Sequence, residues 1–250
     1  MKKHIILYTT LMCSLFYTVK ASAQTNFLEK VSIEYEKKVA YWGLIKDLNP
    51  EWFERSKDRS PKEVISYYTF TGDANRSIYK QTKEAVIPRG MWYESFAENS
   101  IVYNDYKTST VTASKPVFEQ TFLLQDSIQK VTWKYTNDTR TIAGFECRKV
   151  IGFLNDTTGF YAFYTDEIMI SGGPESITGL PGMILGLAVP SLHTTWFATK
   201  VELGNTTNNK DLVPPTKGKK TTRKAYADTM SKLVKDWGKE GSRLLAAYLL

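Results

Sequence analysis

The stretch Met183-Ile184-Leu185-Gly186-Leu187-Ala188-Val189 decides the fold, because it is apolar almost throughout. Such a run predicts a β-strand that is buried on both faces. Pro181 and Gly182 directly precede it and suit the two central positions of a type II turn, where proline presets φ and glycine accepts a positive φ. We therefore expect a sheet that other elements cover on both sides.

Residues 30–205 around this run alternate apolar and polar side chains, which is typical of antiparallel strands. Val31-Ser32-Ile33-Glu34-Tyr35-Glu36 is one example. Segments 64–70 and 76–80 predict a hairpin, with Gly72 and Asn75 as turn residues that tolerate positive φ. Further strands are expected near residues 90–95, 100–105, 109–113, 118–124 and 130–136, with a turn at Asn137-Asp138-Thr139.

Helical patterns occur only towards the ends of the chain. Pro50 to Arg55 predicts a short helix with Asn49 as its cap. Apolar residues at helical spacing predict a second helix from Lys224 to Trp237, followed by a short apolar segment, Leu244 to Leu250. The fold class is thus mainly β: a single domain on a curved antiparallel sheet, open or half-barrel, with a short N-terminal helix and a C-terminal helix.

The first 23 residues predict a cleaved export signal. Lys2 and Lys3 precede an apolar run, and Ala21-Ser22-Ala23 offers small residues for cleavage before Gln24. No later run reaches the roughly 20 apolar residues that span a bilayer, so the mature chain should have no transmembrane segment. We expect a periplasmic or outer-membrane-associated protein, with the β domain over residues 24–204 and a basic connection and helix over residues 205–250.

The net charge of +7 is unevenly distributed along the 250 residues. Residues 24–204 carry 20 basic and 22 acidic side chains, whereas residues 205–250 carry 10 and 4. Export makes nucleic acid an unsuitable partner for these charges, while acidic lipid headgroups or an outer-membrane receptor are available. The candidate partner-binding residues are Lys217, Lys219, Lys220, Arg223 and Lys224. The alternative is a solvated, flexible connection.

Few side chains suit catalysis. Cys147 and His193 are the single cysteine and histidine left after cleavage, and neither lies in a nucleophile motif. Cys147 is expected to be a small buried hydrophobe and His193 a surface residue in a turn. Asp166 and Glu167 are adjacent in sequence, so a strand would direct their side chains to opposite faces. No metal-ligand spacing occurs, so the sequence predicts no metal, no cofactor and no enzyme.

Aromatic residues and one glycine-rich loop are more suggestive of binding. Strand 160–164 places aromatic rings on both faces, so that Tyr161 and Phe163 are candidates to line a ligand groove. The loop 171–182 contributes Gly179, Leu180, Pro181 and Gly182 as further ligand-binding candidates. The alternatives are a sheet covered on both sides and a purely structural turn.

The segment Gly179-Leu180-Pro181-Gly182-Met183-Ile184 resembles the signature of the GLPGLI family of exported bacterial envelope proteins, with Met183 in place of leucine. Blocks 142–149 and 162–168 and Ile33-Glu34-Tyr35-Glu36 also fit that family. The resemblance implies export and a place at or near the outer membrane beside uptake receptors, but no established activity or cofactor.

Three functions follow as expectations. The first is a non-catalytic binding protein that holds an apolar or peptide-like ligand on its curved sheet, in the manner of the periplasmic lipoprotein carriers. The second is an accessory subunit of an outer-membrane complex. An enzyme is the least favoured of the three.

Overall fold

One mixed sheet of twelve strands forms the body of the protein. A computed structural model describes residues 30–88, 98–154, 158–204 and 212–250. The strands are β1 Lys30–Val39, β2 Val64–Asp73, β3 Arg76–Lys83, β4 Ile101–Asp105, β5 Thr110–Val117, β6 Gln120–Ser127, β7 Thr132–Ile142, β8 Phe145–Leu154, β9 Thr158–Thr165, β10 Met183–Val189, β11 Thr194–Leu203 and β12 Lys219–Thr221. The prediction of a mainly β fold on a curved sheet is confirmed.

The strand order is β12-β6-β5-β4-β3-β2-β1-β11-β10-β9-β8-β7. Neighbouring strands are antiparallel except for β12, which lies parallel to β6. Consecutive hairpins account for most of this order. The exceptions are β12, which lies beside β6, and β1, which lies in the middle of the sheet between β2 and the distant β11.

The sheet curves around an inner face that carries Val31, Ile33, Tyr35 and Lys37 of β1. The Tyr35 hydroxyl donates a hydrogen bond of 2.6 Å to the backbone carbonyl of Ile184, two strands away on β10. The predicted burial of β10 on both faces is confirmed, since six of its seven residues are buried. β10 is therefore the centre of the hydrophobic core.

Two short helices follow β1. Helix α1 spans Tyr41–Leu48 and helix α2 spans Pro50–Ser56. The predicted cap is confirmed, because the Asn49 side chain accepts a hydrogen bond from the Trp52 amide at the start of α2. The alternation rule did not indicate α1, whose buried residues Tyr41, Leu44 and Ile45 form a small core of their own with Val39 and Val64.

Two further helices, α3 Arg223–Leu233 and α4 Gly238–Leu249, end the chain. Tyr226 of α3 packs edge-on against Phe122 of β6 at 5.4 Å. In helix α4, Arg243 donates hydrogen bonds to the backbone carbonyls of Ser191 and Leu44. The two helices thus tie β6 to the turn before β11 and to α1.

Two turn predictions need correction. The hairpin between β2 and β3 does not use positive φ at Gly72 or Asn75; the Asp73 carboxylate instead accepts hydrogen bonds from the amides of Asn75 and Arg76. Residues 137–139 are not a turn but an irregularity inside β7, and the chain reverses at Ala143 and Gly144, which have φ of 49° and 89°.

Some predictions fall outside the described residues, namely the export signal at 1–23 and the strand at 90–95. The predicted helix 224–237 ends earlier than expected, at Leu233. Over the described ranges, no helix has both the length and the apolar character needed to cross a bilayer.

Candidate functional site

The loop between β9 and β10 carries a carboxylate into the protein interior. Glu175 is only 4 % exposed and has a left-handed backbone, with φ of 56°. Gly172 allows the loop to lie against the core, since a Cβ there would come within 2.5 Å of the Phe70 ring. A residue other than glycine rarely adopts the left-handed backbone of Glu175 unless its surroundings hold it there. Glu175 is therefore the most unusual residue of the loop.

Glu175 belongs to a buried polar cluster, which we call the Glu175 centre: Glu175, Lys37, Lys115, Tyr79 and Trp196. Burial raises the pKa of the Glu175 carboxyl, whereas Lys37, Lys115 and the Trp196 indole act to lower it. The amino group of Lys37 lies 5.5 Å from the centroid of the Trp196 ring. The Glu175 carboxyl thus feels the charge of two buried lysines, and we expect it to act as their counter-ion.

Three buried polar atoms of the Glu175 centre make no hydrogen bond of standard length and angle to a described residue: Glu175 Oε1, the Tyr79 hydroxyl and Trp196 Nε1. Buried polar atoms are usually satisfied, by ordered water if not by protein. The small cavity beside the centre, lined by Lys115, Ser176 and Tyr226 among others, measures about 20 Å³. That is room for about one water molecule.

Helix α4 closes this side of the centre. The amino group of Lys115 donates a 2.9 Å hydrogen bond to the backbone carbonyl of Tyr248, and the Ser176 hydroxyl donates to the carbonyl of Leu250. Burial lowers the pKa of Lys115 to about 8, with Glu175 opposing this shift and Arg223 adding to it. At mildly alkaline pH a large fraction of the Lys115 amine is therefore uncharged.

Lys115 should make stability depend on alkaline pH. The amine titrates near 10.5 in the unfolded chain and near 8 in the folded one, so the unfolded state binds more protons between these values. The free energy of unfolding should therefore rise from pH 8 to pH 10, by roughly 2–3 kcal/mol. Urea titrations of the wild type and of Lys115→Met at both pH values would measure this. Lys115→Met cannot titrate at this position. An equal rise in its free energy of unfolding would therefore contradict the assignment of the pH dependence to Lys115.

A second candidate site is an open cleft between α1 and the corner that joins α3 to α4. The cleft measures about 590 Å³. Its floor is apolar, its walls include two tryptophans, and its rim is polar. The lining residues are Tyr41, Leu44, Ile45, Leu48, Asn49, Trp52, Trp237, Lys239 and Glu240. Lys239 also lines an adjoining hollow of about 440 Å³ with Asp47 and Arg243. Unlike the Glu175 centre, this helix cleft is accessible and large enough for a small organic ligand.

His193 and Cys147 occupy structural positions. His193 Nε2 lies 2.8 Å from the Asp47 carboxylate, and Nδ1 faces Gly43, where a Cβ would come within 2.8 Å. Both ring nitrogens are thus directed at α1, and His193 joins the turn before β11 to that helix. Cys147 is fully buried and unpaired, and burial raises its pKa to about 11. A thiol held protonated in this way is a poor nucleophile.

The predicted ligand-binding residues do not come together on one surface. Leu180 and Gly182 are buried, while Gly179 and Pro181 are exposed at the loop surface. On β9, Phe163 packs against Phe197 at 6.1 Å, with Arg140 above both rings, and Tyr161 lies beneath Lys149. These rings are covered by cations of the protein itself. Ligand binding at these residues stays a prediction.

The predicted partner-binding residues lie just before β12, on β12 and at the start of α3. Lys217, Lys219, Lys220 and Lys224 are exposed. The backbone amide of Arg223 donates to the Asp126 carboxylate, and its guanidinium donates to the carbonyl of Ser127. Arg223 is therefore committed to anchoring α3 on β6, which leaves the four lysines as the exposed charges.

Sequence reasoning missed both the Glu175 centre and the helix cleft. The one signal for the centre was an acidic residue inside a loop of glycine, proline and apolar residues. The cleft combines two segments, Tyr41–Trp52 and Trp237–Glu240, that are far apart in the chain. Among the residues that the structure describes, no cluster of histidine, cysteine or carboxylate side chains could hold a metal ion.

The fold is that of a β domain that also occurs as part of a larger protein. The solved structure of PNGF-II in space group P21 matches with a TM-score of 0.52 at 14 % identity, over 84 % of this chain and 34 % of that one. At this identity the likeness concerns the fold alone. The chain spans about a third of the length of PNGF-II.

The chain belongs to the family described as the N-terminal domain of N-glycanase peptide, whose model matches residues 71–228. A second PNGF-II structure, in space group C2, matches at 15 % identity over 84 % of this chain and 33 % of that one, with a TM-score of 0.49. An uncharacterised conserved protein from Thermus thermophilus matches at 8 % identity over 79 % of this chain and 92 % of that one, with a TM-score of 0.37. No curated protein matches.

The family overturns one functional expectation. A non-catalytic envelope protein that binds an apolar or peptide-like ligand was expected; this is wrong, because the matching family is named for a domain of an enzyme, an N-glycanase. The expected partnership with an outer-membrane complex stays a prediction. The resemblance to the GLPGLI family and the expected export to the periplasm or outer membrane stay predictions.

Proposed function

We propose that this protein acts in the enzymatic release of N-linked glycans from peptides, and that the helix cleft holds the carbohydrate. The observation that carries the proposal is the family match over residues 71–228, which covers well over half of the chain. N-glycanase is the activity that the description of the family names. The substrate class that follows is a peptide with an asparagine-linked oligosaccharide.

The chemistry of the helix cleft suits a saccharide. Sugar rings have apolar C–H faces that pack on flat aromatic surfaces, and hydroxyl rims that need hydrogen-bonding groups. Trp52 and Trp237 supply the aromatic surfaces, and Asn49, Lys239 and Glu240 supply amide, ammonium and carboxylate groups. The volume of about 590 Å³ falls in the range of pockets for small ligands.

The cleft lies outside the matched region, on both sides of it. Tyr41–Trp52 precede residue 71 and Trp237–Glu240 follow residue 228. The proposal therefore divides into two parts that can be tested separately: the reaction class, which rests on the family, and the place where the carbohydrate binds, which rests on the cleft.

Trp52→Ala should weaken binding of a high-mannose glycopeptide by about tenfold, because one aromatic surface for a sugar ring is lost. Isothermal titration with the glycopeptide measures this. The same peptide with aspartate in place of the glycosylated asparagine should not bind. Phe53→Ala is the matched control, since Phe53 is the next residue of α2 and packs on Trp42 rather than in the cleft.

Mass spectrometry of the same incubations tests the reaction class. Release of the oligosaccharide, with conversion of the asparagine to aspartate, is the expected product pattern. A protein that binds neither the glycopeptide nor a glycoprotein, and releases no glycan from either, would contradict the proposed function. Equal affinity of Trp52→Ala and the wild type would contradict the cleft alone.

A further inference from the structure

A strained aromatic residue stands at the turn between β5 and β6. Phe118 has φ of 51° and is 53 % exposed. A bulky side chain in the left-handed region costs free energy, and an exposed aromatic ring gains little from burial. Glycine or asparagine would make the same turn with less strain. The fold thus holds a phenyl ring towards solvent at a conformational cost.

A second aromatic residue, Trp237, lies beside Phe118. The ring of Trp237 meets the ring of Phe118 edge-on, with 6.0 Å between centroids, and Trp237 is 40 % exposed. Leu233, four residues earlier at the end of α3, is also 40 % exposed. Exposed large apolar residues from two separate elements therefore meet at one corner, which is unusual for a surface in contact only with water.

Exposed lysines line the adjoining sheet edge. Lys219 and Lys220 of β12 pair with Phe122 and Leu123 of β6, four and five residues beyond Phe118. Lys217 precedes them and is exposed as well. Gly218 brings this strand close to β6, since a Cβ there would lie 3.0 Å from the Leu123 amide. The lysines are thus fixed next to the aromatic corner.

We infer that this corner, which we call the aromatic tip (Phe118, Trp237, Lys217, Lys219 and Lys220), docks on the surface of a bilayer that contains anionic phospholipids. Tryptophan and phenylalanine suit the region between headgroups and acyl chains, where an aromatic body is buried and a polar edge stays wet. Lysines beside them attract anionic headgroups. Charge complementarity decides the partner, because residues 205–250 carry 10 basic against 4 acidic side chains.

Co-sedimentation with phosphatidylcholine vesicles, with and without phosphatidylglycerol, tests the inference. The wild type should bind the anionic vesicles, bind neutral ones weakly, and lose affinity as salt is raised. Phe118→Ser should bind about tenfold less tightly because the inserted ring is lost. The double variant Lys217→Glu and Lys219→Glu should lose more than about tenfold. Trp237 is left unchanged because it also lines the helix cleft.

Two controls match these variants. Lys107→Glu with Lys130→Glu reverses two exposed lysines at the opposite end of the β5–β6 hairpin, and Met169→Ser removes an exposed apolar residue elsewhere. Both should bind like the wild type. No binding of the wild type to anionic vesicles, or tip variants that bind as tightly as the controls, would overturn the inference. Glycopeptide binding by the Lys217→Glu and Lys219→Glu double variant should be retained, which separates this inference from the proposed function.

Discussion

Glu175→Gln is expected to lower the free energy of unfolding by about 3 kcal/mol at neutral pH. Glutamine keeps the shape of the side chain but removes the charge, so the buried ammonium groups of Lys37 and Lys115 lose their counter-ion. Without the carboxyl, the charges of the two buried lysines are less well compensated in a medium of low dielectric, which costs free energy. Urea titration followed by circular dichroism measures the difference.

Two further variants test whether the lost charge of Glu175 causes the loss of stability. Glu167→Gln removes an exposed carboxylate a few residues before the same loop and should change stability by less than about 0.5 kcal/mol. Adding Lys115→Met to Glu175→Gln should restore part of the loss, because one uncompensated charge is gone. A single variant as stable as the wild type would show that Glu175 is not the counter-ion of the two lysines.

Gly182→Ala is expected to cost at least about 3 kcal/mol. A Cβ at this position would lie 2.1 Å from the Thr165 carbonyl oxygen and 3.1 Å from Asp166 Cα. Both are backbone atoms, so the clash cannot be relieved by turning a side chain. The loop would have to move away from the end of β9, and the start of β10 would move with it. Thermal unfolding of the variant measures the loss.

Gly159→Ala is the matched control on β9. A Cβ there would lie 3.5 Å from the Phe153 ring, an ordinary van der Waals contact, so the change should cost no more than about 1 kcal/mol. If both variants unfold at the same temperature, the close approach of Gly182 to β9 does not explain why the loop needs glycine there.

Local patterns were sufficient to predict much of the fold. The apolar run of β10 and the alternation of β1 depend on their own residues and their period, and the cap at Asn49 depends on a contact three residues away. The prediction of a turn at residues 137–139 was wrong because pairing with another strand, not the local residue types, determines the structure there. Asn and Asp are common in turns, but here β8 pairs with β7 on either side of them.

The Glu175 centre could not be predicted in this way. Its members lie on β1, β3, β5, β11 and the loop before β10, so the cluster exists only once the sheet has its order. The same holds for the helix cleft, which Trp52 and Trp237 both line although they are far apart in the sequence. Spacing within a single sequence carries no information about which residues such pairs contain.

The central position of β1 has a consequence for folding. One edge of β1 pairs with the next strand along the chain, but the other pairs with β11, and a hydrogen bond between Thr199 and Glu34 spans 165 residues. Closing so long a loop is slow. During synthesis from the N-terminus, β1 therefore has an unpaired edge, and its apolar residues have an incomplete cover, until β11 has been made. This nascent stage is the period in which the chain is most prone to aggregate and most in need of a chaperone.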